Sequence, residues 1–252
     1  MRLVFEGFDN ALDIVPGRVA VLALENQKLF SRVCESLLSG LGSEAVEPYG
    51  LWEGNEKLNQ KQAFIPVLSP LELPWKHRVL GARLHKVIEQ LLMEDDEARA
   101  RLDTLALQLA SSTTSLAFQL HGSYGFKVEW ALADYLKAFG FGVEIEDGAS
   151  LFDKLIQFID FAADMQLREV LLFINLETFL SKNEMEEFDK HVFFQELSVL
   201  LLEQRSYDQV CDNESKVHVD QHFLEYATAS QSDCTSSSQR GFCSNGFGAV
   251  TF

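Results

Sequence analysis

Apolar and polar positions first form a pattern at the start of the chain, where Leu3, Phe5 and Phe8 make one apolar run and Leu12, Ile14 and Val15 the next. Asp9-Asn10 between them supplies a turn, so the pattern predicts a β-hairpin. After Pro16-Gly17, residues 19–24 (VAVLAL) are apolar without interruption. That length and β-branched content predict a strand buried on both faces, as in a parallel sheet. Residues 27–38 change to helical spacing, with Leu29, Phe30, Val33 and Leu37 on one side, and the glycines of Ser39 to Gly42 end the helix. Residues 43–74 are broken repeatedly by glycine and proline, with Phe64 to Leu68 as a possible strand.

Pro74 suits a first helical position. From there to Leu92, the residues Leu80, Leu84, Val87, Ile88 and Leu91 mark one helix face. Glu94 to Glu97 is a turn or the acid-rich start of a second helix, and 98–118 repeats the pattern with Leu102, Leu105, Leu109 and Leu116. Two long helices in succession read as a helical hairpin projecting from a sheet.

The α/β pattern then returns. Residues 128–139 read as a helix closed by Gly140, and Phe141 to Ile145 as a short strand. Ser150 with Asp153 and Ser181 with Glu184 have capping-box spacing and open helices reaching about Met165 and Phe194. Val170 to Ile174 and Val199 to Leu202 read as two more buried strands, and 216–226 as an edge strand. Strands alternating with helices imply a mostly parallel sheet with right-handed crossovers. The expected fold class is therefore α/β. Residues 1–70 and 140–226 form the head, 71–139 a helical leg, and the Ser/Gly-rich 227–252 a disordered tail.

The 252 residues carry a net charge of −17, of which residues 121–228 hold −13 and residues 71–120 only −1. Acidity of this size argues against indiscriminate coating of nucleic acid. It leaves room for a local basic site, because exposed charges beyond ~8 Å are screened at physiological salt. No apolar run is long enough to span a membrane, and the acids in the first residues are unlike a secretory signal. The expected location is the cytoplasm. Cys34, Cys211, Cys234 and Cys243 show no Cys-x-x-Cys spacing, which fits a reducing compartment and no zinc site.

Where the first buried strand turns into its helix, a phosphate-binding loop would place glycines followed by Lys and Ser/Thr. The sequence has Glu25-Asn26-Gln27-Lys28 there, with no glycine and an acid that repels phosphate. Gly-x-Ser-x-Gly is absent from the chain. Glu214-Ser215-Lys216, with Asp208 and Asp212 upstream, has the residue types of a metal nuclease, and also those of a solvated turn before an edge strand. His218, His222 and Asp220 are possible metal ligands or plain polar edge residues. The segment 75–86 (WKHRVLGARLHK) stands out: it holds Lys76, Arg78, Arg83, Lys86, two histidines and no acid. On a helix, Arg78, His85 and Lys86 face away from Leu80, Leu84 and Leu91, and Arg83 flanks that apolar face. Such a stretch is either a polyanion contact or an ordinary solvated face.

Several segments together resemble the Csn-two family, the spacer-acquisition proteins of type II-A CRISPR systems. They are VAVLALENQKLFSRV, DYLKAFGFGVEIE, LREVLLFINLETFLSKNEMEEF and SVLLLEQRSYD, in that order, with Phe173-Ile174-Asn175 at a strand end and Leu180-Ser181-Lys182 at the next helix start. The resemblance covers roughly residues 1–226. It implies an α/β head related to nucleotide-binding folds without a working phosphate loop, and a helical leg. It also implies a homotetrameric ring with a positively lined hole for double-stranded DNA, preferentially at free ends, and no enzymatic activity. The implied partners are the CRISPR integrase subunits and the type II effector nuclease, in spacer acquisition for antiviral defence. Calcium bracing the leg through acidic residues is implied too, but at the corresponding stretch His121 to Glu129 only Glu129 matches an acidic position. No motif carries the family's DNA contacts across, so Lys76, Arg78, Arg83 and Lys86 are nominated from local charge, with Lys127, Lys137 and Lys154 second. The alternative is an assembly scaffold with a degenerate nucleotide-binding-type fold and no direct DNA role. A metal nuclease or ATPase comes third.

Overall fold

The computed structural model describes residues 1–127, 129–145, 148–205 and 214–229. The uninterrupted run Val19–Leu24 is strand β3, the centre of a six-stranded sheet. Its neighbours are β8 (Val199–Glu203) and β9 (Glu214–Val219), both parallel to it, with Val21 opposite Leu201 on one side and Lys216 on the other. Beyond β8 lie β7 (Val170–Ile174) and then β6 (Phe64–Val67), also parallel. Beyond β9, β10 (Glu225–Ala229) runs antiparallel. Side chains alternate between the faces, so each buried run feeds two cores. Val19, Val21, Leu171, Phe173, Val199 and Leu201 face one cluster, while Ala20, Leu22, Leu172, Leu200 and Leu202 face the other.

The first core is closed by α5 (Leu151–Asp164), α6 (Lys182–Gln195) and the start of α2 (Arg78–Glu94), through Phe158, Phe188 and Leu80. The second is closed by α1 (Gln27–Ser39), through Leu29, Val33 and Leu37. It is also covered by a four-stranded antiparallel sheet in the order β2 (Leu12–Asp13), β1 (Arg2–Phe5), β4 (Tyr49–Glu53), β5 (Glu56–Lys57). The predicted N-terminal hairpin is thus present but belongs to this second sheet. Gly40 ends α1 in the left-handed region (φ 63°), where a side chain would be strained and its Cβ would come within 3.0 Å of the Lys61 Cα. Both capping boxes form, Ser150 with Asp153 and Ser181 with Glu184.

Four expectations change. Residues 141–145 form no strand, because β7 already lies between β6 and β8; Val143 packs on the first core while Phe141 and Ile145 stay exposed. The expected edge strand at 216–226 divides at the Asp220–Leu224 turn: β9 is internal and β10 is the edge, taking in 227–229 of the expected tail. The rest of that tail, 230–252, lies outside the described residues. Pro74 does not begin a helix; it belongs to a turn, and α2 starts after His77. The helix expected at 128–139 is the shorter α4 (Leu132–Phe139), capped by Gly140 at φ 67°. Asp95 alone separates α2 from α3 (Asp96–Ala117), and its carboxylate accepts from the Ala98 N–H at 2.9 Å. No side chain of α3 is buried: Leu107 is 73% and the following Phe118 82% exposed.

Candidate nucleic-acid interface

The basic stretch is fixed to the head by an aromatic anchor. Trp75 packs edge-on against Phe158 at 5.2 Å between ring centres, and lies 6.2 Å from Phe161, both on α5. Leu80 is fully buried one turn later, and Leu84 and Val87 lean on the same core. These contacts set the rotation of α2, which leaves Arg78 and Lys86 exposed, and Lys76 is exposed in the turn that leads into it. None of the three has an ion-pair partner among the described residues. Arg78 and Lys86 are eight residues apart, about 12 Å along the helix axis, and Glu89 closes the strip one turn on.

Arg83 is differently employed. Its guanidinium donates to Glu169 Oε1 at 2.7 Å and to the Gln166 carbonyl at 3.2 Å, tying α2 to the connection between α5 and β7. Its charge is balanced in place, so the four nominated cations become three solvent-facing ones and a structural one. Of the second group, Lys154 lies on the α5 face that Phe158 and Phe161 present to Trp75, one turn earlier. Lys137 is exposed on α4, which packs against α2, and Lys127 is exposed ahead of α4. These lysines therefore lie on elements adjoining α2 or leading into one that does.

The ends of the parallel strands, where α/β folds commonly hold ligands, are acidic. Asn26 caps α1 with its own side chain, which accepts from the Lys28 and Leu29 N–H groups. Glu25 pairs with His218 at 3.0 Å. Glu203 ends β8 fully buried, accepts from the Glu177 N–H at 3.1 Å, and has its second oxygen without a hydrogen-bond partner. Burial, and after it the nearby Glu177 charge, pushes its carboxyl up to about 8, against the opposing hydrogen bonds from the Glu177 and Leu176 backbone and the Lys216 charge. Glu203 is therefore mostly protonated at pH 7, and what opposes a phosphate here is the Glu25 carboxylate in a turn that has no glycine to cradle it. Sequence reasoning passed over Glu203 because it closes the apolar run VLLLE; an acid in that position was the available signal.

Among the described residues the possible metal and nuclease side chains are not brought together. Glu214 and Lys216 are buried side chains on one face of β9, and Asp208 and Asp212 lie outside the described residues. Asp220 accepts from the His222 and Leu224 N–H groups as a turn cap, so His222 is held away from His218 and its Glu25 partner. Among the described residues no three His, Cys, Asp or Glu side chains are grouped to hold a metal ion. Glu129 stands exposed, whereas calcium takes 6–8 oxygen ligands, so the described side chains do not fit a family-type calcium site. The Cys34 thiol is pushed up to about 11 by burial and is poorly nucleophilic; Cys211, Cys234 and Cys243 lie outside the described residues. Among the described residues no helix is long and apolar enough to cross a membrane.

A family model described as CRISPR-associated protein (Cas_Csn2) matches residues 51–222. Among solved structures, the fold is similar to that of Stu0660 of Streptococcus thermophilus, with a TM-score of 0.59 at 14% sequence identity, covering 87% of this chain and 75% of that one. No curated protein matches the sequence.

Proposed function

This chain belongs to the Cas_Csn2 family of CRISPR-associated proteins, and from that premise we propose that it binds double-stranded DNA at free ends, without enzymatic activity, during spacer acquisition. The observation that carries this reading is the anchored helix α2. It holds Arg78 and Lys86 in solvent, with Lys76 in the turn just ahead of it, all three with their charges unpaired among the described residues, in a chain of net −17. In this reading four chains form a ring that threads the duplex, in the cytoplasm, and act with the CRISPR integrase subunits and the type II effector nuclease. The head is a degenerate nucleotide-binding-type fold. The parallel order around β3 supports this, and so do the Glu25-Asn26-Gln27-Lys28 turn without glycine and the buried Glu203 beside it. Residues 71–139 serve as the leg.

Competition between linear and closed circular duplexes of one sequence tests the reading. A ring threaded from an end binds the linear form at least tenfold more tightly, and equal affinity for both forms would remove end-threading. One observation favours the second reading, an assembly scaffold with no direct DNA role: α3 buries none of its side chains and presents Leu105, Leu109 and Leu116 to solvent along one face. An exposed apolar face of this kind marks a contact surface. A protein that self-associates in light scattering but fails to bind any duplex would establish that reading instead.

A further inference from the structure

An open sheet leaves backbone N–H and C=O groups unpaired along its outer strands, and proteins protect such edges by shortness, charge or proline. Among the described residues, three of the four sheet edges are protected in these ways. β2 and β5 are two residues long, with Asp13 in one and Glu56-Lys57 in the other. β6 carries Pro66 within the strand. The fourth edge, β10, is five residues of sequence EYATA, with neither proline nor lysine. Its only charge, Glu225, is turned inward, accepting from the Asp9 N–H at 2.9 Å, the Asn10 N–H at 2.8 Å and the Asn10 side-chain amide at 3.1 Å. Among the described residues no strand pairs with its outer side.

The register shows which groups are open. The Asp220 N–H bonds the Leu224 carbonyl, and the same register sets Tyr226 opposite His218 and Thr228 opposite Lys216. Antiparallel pairs alternate between bonded and non-bonded. Tyr226 and Thr228 therefore bond β9, while Glu225, Ala227 and Ala229 direct their N–H and C=O groups outward. Beside this edge Phe223, Leu224 and Tyr226 are 58%, 57% and 52% exposed.

We propose that β10 pairs antiparallel with β10 of a second copy of this chain across a two-fold axis, joining two six-stranded sheets into one. Such pairing is isologous: Ala227 meets its own counterpart and Glu225 meets Ala229, so no like charges oppose each other. In a chain of net −17 this strand holds a single carboxylate, turned inward on Asp9 and Asn10, so two copies meet along it with no charges directly opposed. The inference stands on the strand edge and goes beyond the DNA reading.

Ala227→Pro tests it, because it deletes an outward N–H and none that β9 uses. Ala227→Glu is the second variant; it keeps the N–H and sets like charges opposite each other. Light scattering at micromolar concentration should show wild-type mass falling at least twofold in both variants, with Ala227→Thr unchanged. Hydrogen exchange of the wild type should protect the Ala227 amide in the assembled protein only. An unchanged mass in the two disruptive variants would overturn the proposal. So would an unprotected Ala227 amide in the assembled wild type, or protection that persists in the monomer, which would assign the edge to the chain's own residues.

Discussion

At the scale of single residues, Glu203 and Arg83 show how one side chain is committed by its surroundings. Glu203 binds its proton more tightly in the fold, where it titrates at about 8, than in the unfolded chain, where the ordinary value is 4.5. Its contribution to stability is therefore complete below pH 4.5, falls as pH rises through the interval, and is lost above about 8. Glu203→Gln keeps an oxygen to accept from the Glu177 N–H and has no charge to bury. The variant should melt higher than wild type at pH 9 by several degrees, with the difference shrinking toward pH 5, as thermal unfolding across that range would show. A difference independent of pH would mean that Glu203 is ionised throughout. Arg83 makes the complementary point. It belongs to the basic stretch in sequence, yet its partner Glu169 is 86 residues away, and no spacing rule finds such a pair.

At the scale of elements, what was legible depended on how local the determinants are. VAVLAL and VLLFI announce strands covered on both faces because every position must be apolar there. The capping boxes are legible because Ser150 and Asp153 meet within one turn. Ser150→Ala should cost about 1 kcal/mol, read as a lower urea midpoint with unchanged slope. No loss would mean that the α5 start is held by packing alone. β4 was not legible: its alternation of buried Tyr49 and Leu51 is brief and set among glycines. The segment Phe141–Ile145 has the alternation of a strand, but its place depends on the order of the whole sheet, which no local pattern carries. The same holds for β9, placed inside the sheet by β10 beyond it.

For the whole molecule, the question is how a chain of net −17 holds a polyanion. The attraction is concentrated on Arg78 and Lys86 of a helix oriented by Trp75, Leu80 and the Arg83–Glu169 pair, and on Lys76 in the turn before it, while the more distant acids are screened. That basic stretch was legible as a charge contrast in the sequence. The withdrawal of Arg83 from it, and the adjoining place of Lys154, needed the fold. If about four to six phosphates are neutralised per complex, binding should be independent of sequence with a log–log salt slope of about −4 to −5. The most direct measurement is a salt titration of linear-duplex binding by wild type and by the double variant Arg78→Glu with Lys86→Glu, with Arg83→Ala as a control for the structural cation. The double variant should bind at least tenfold more weakly with a flatter slope and unchanged helix content, while Arg83→Ala keeps the slope and loses stability. A double variant that binds with wild-type affinity and slope would contradict this placement of the attraction.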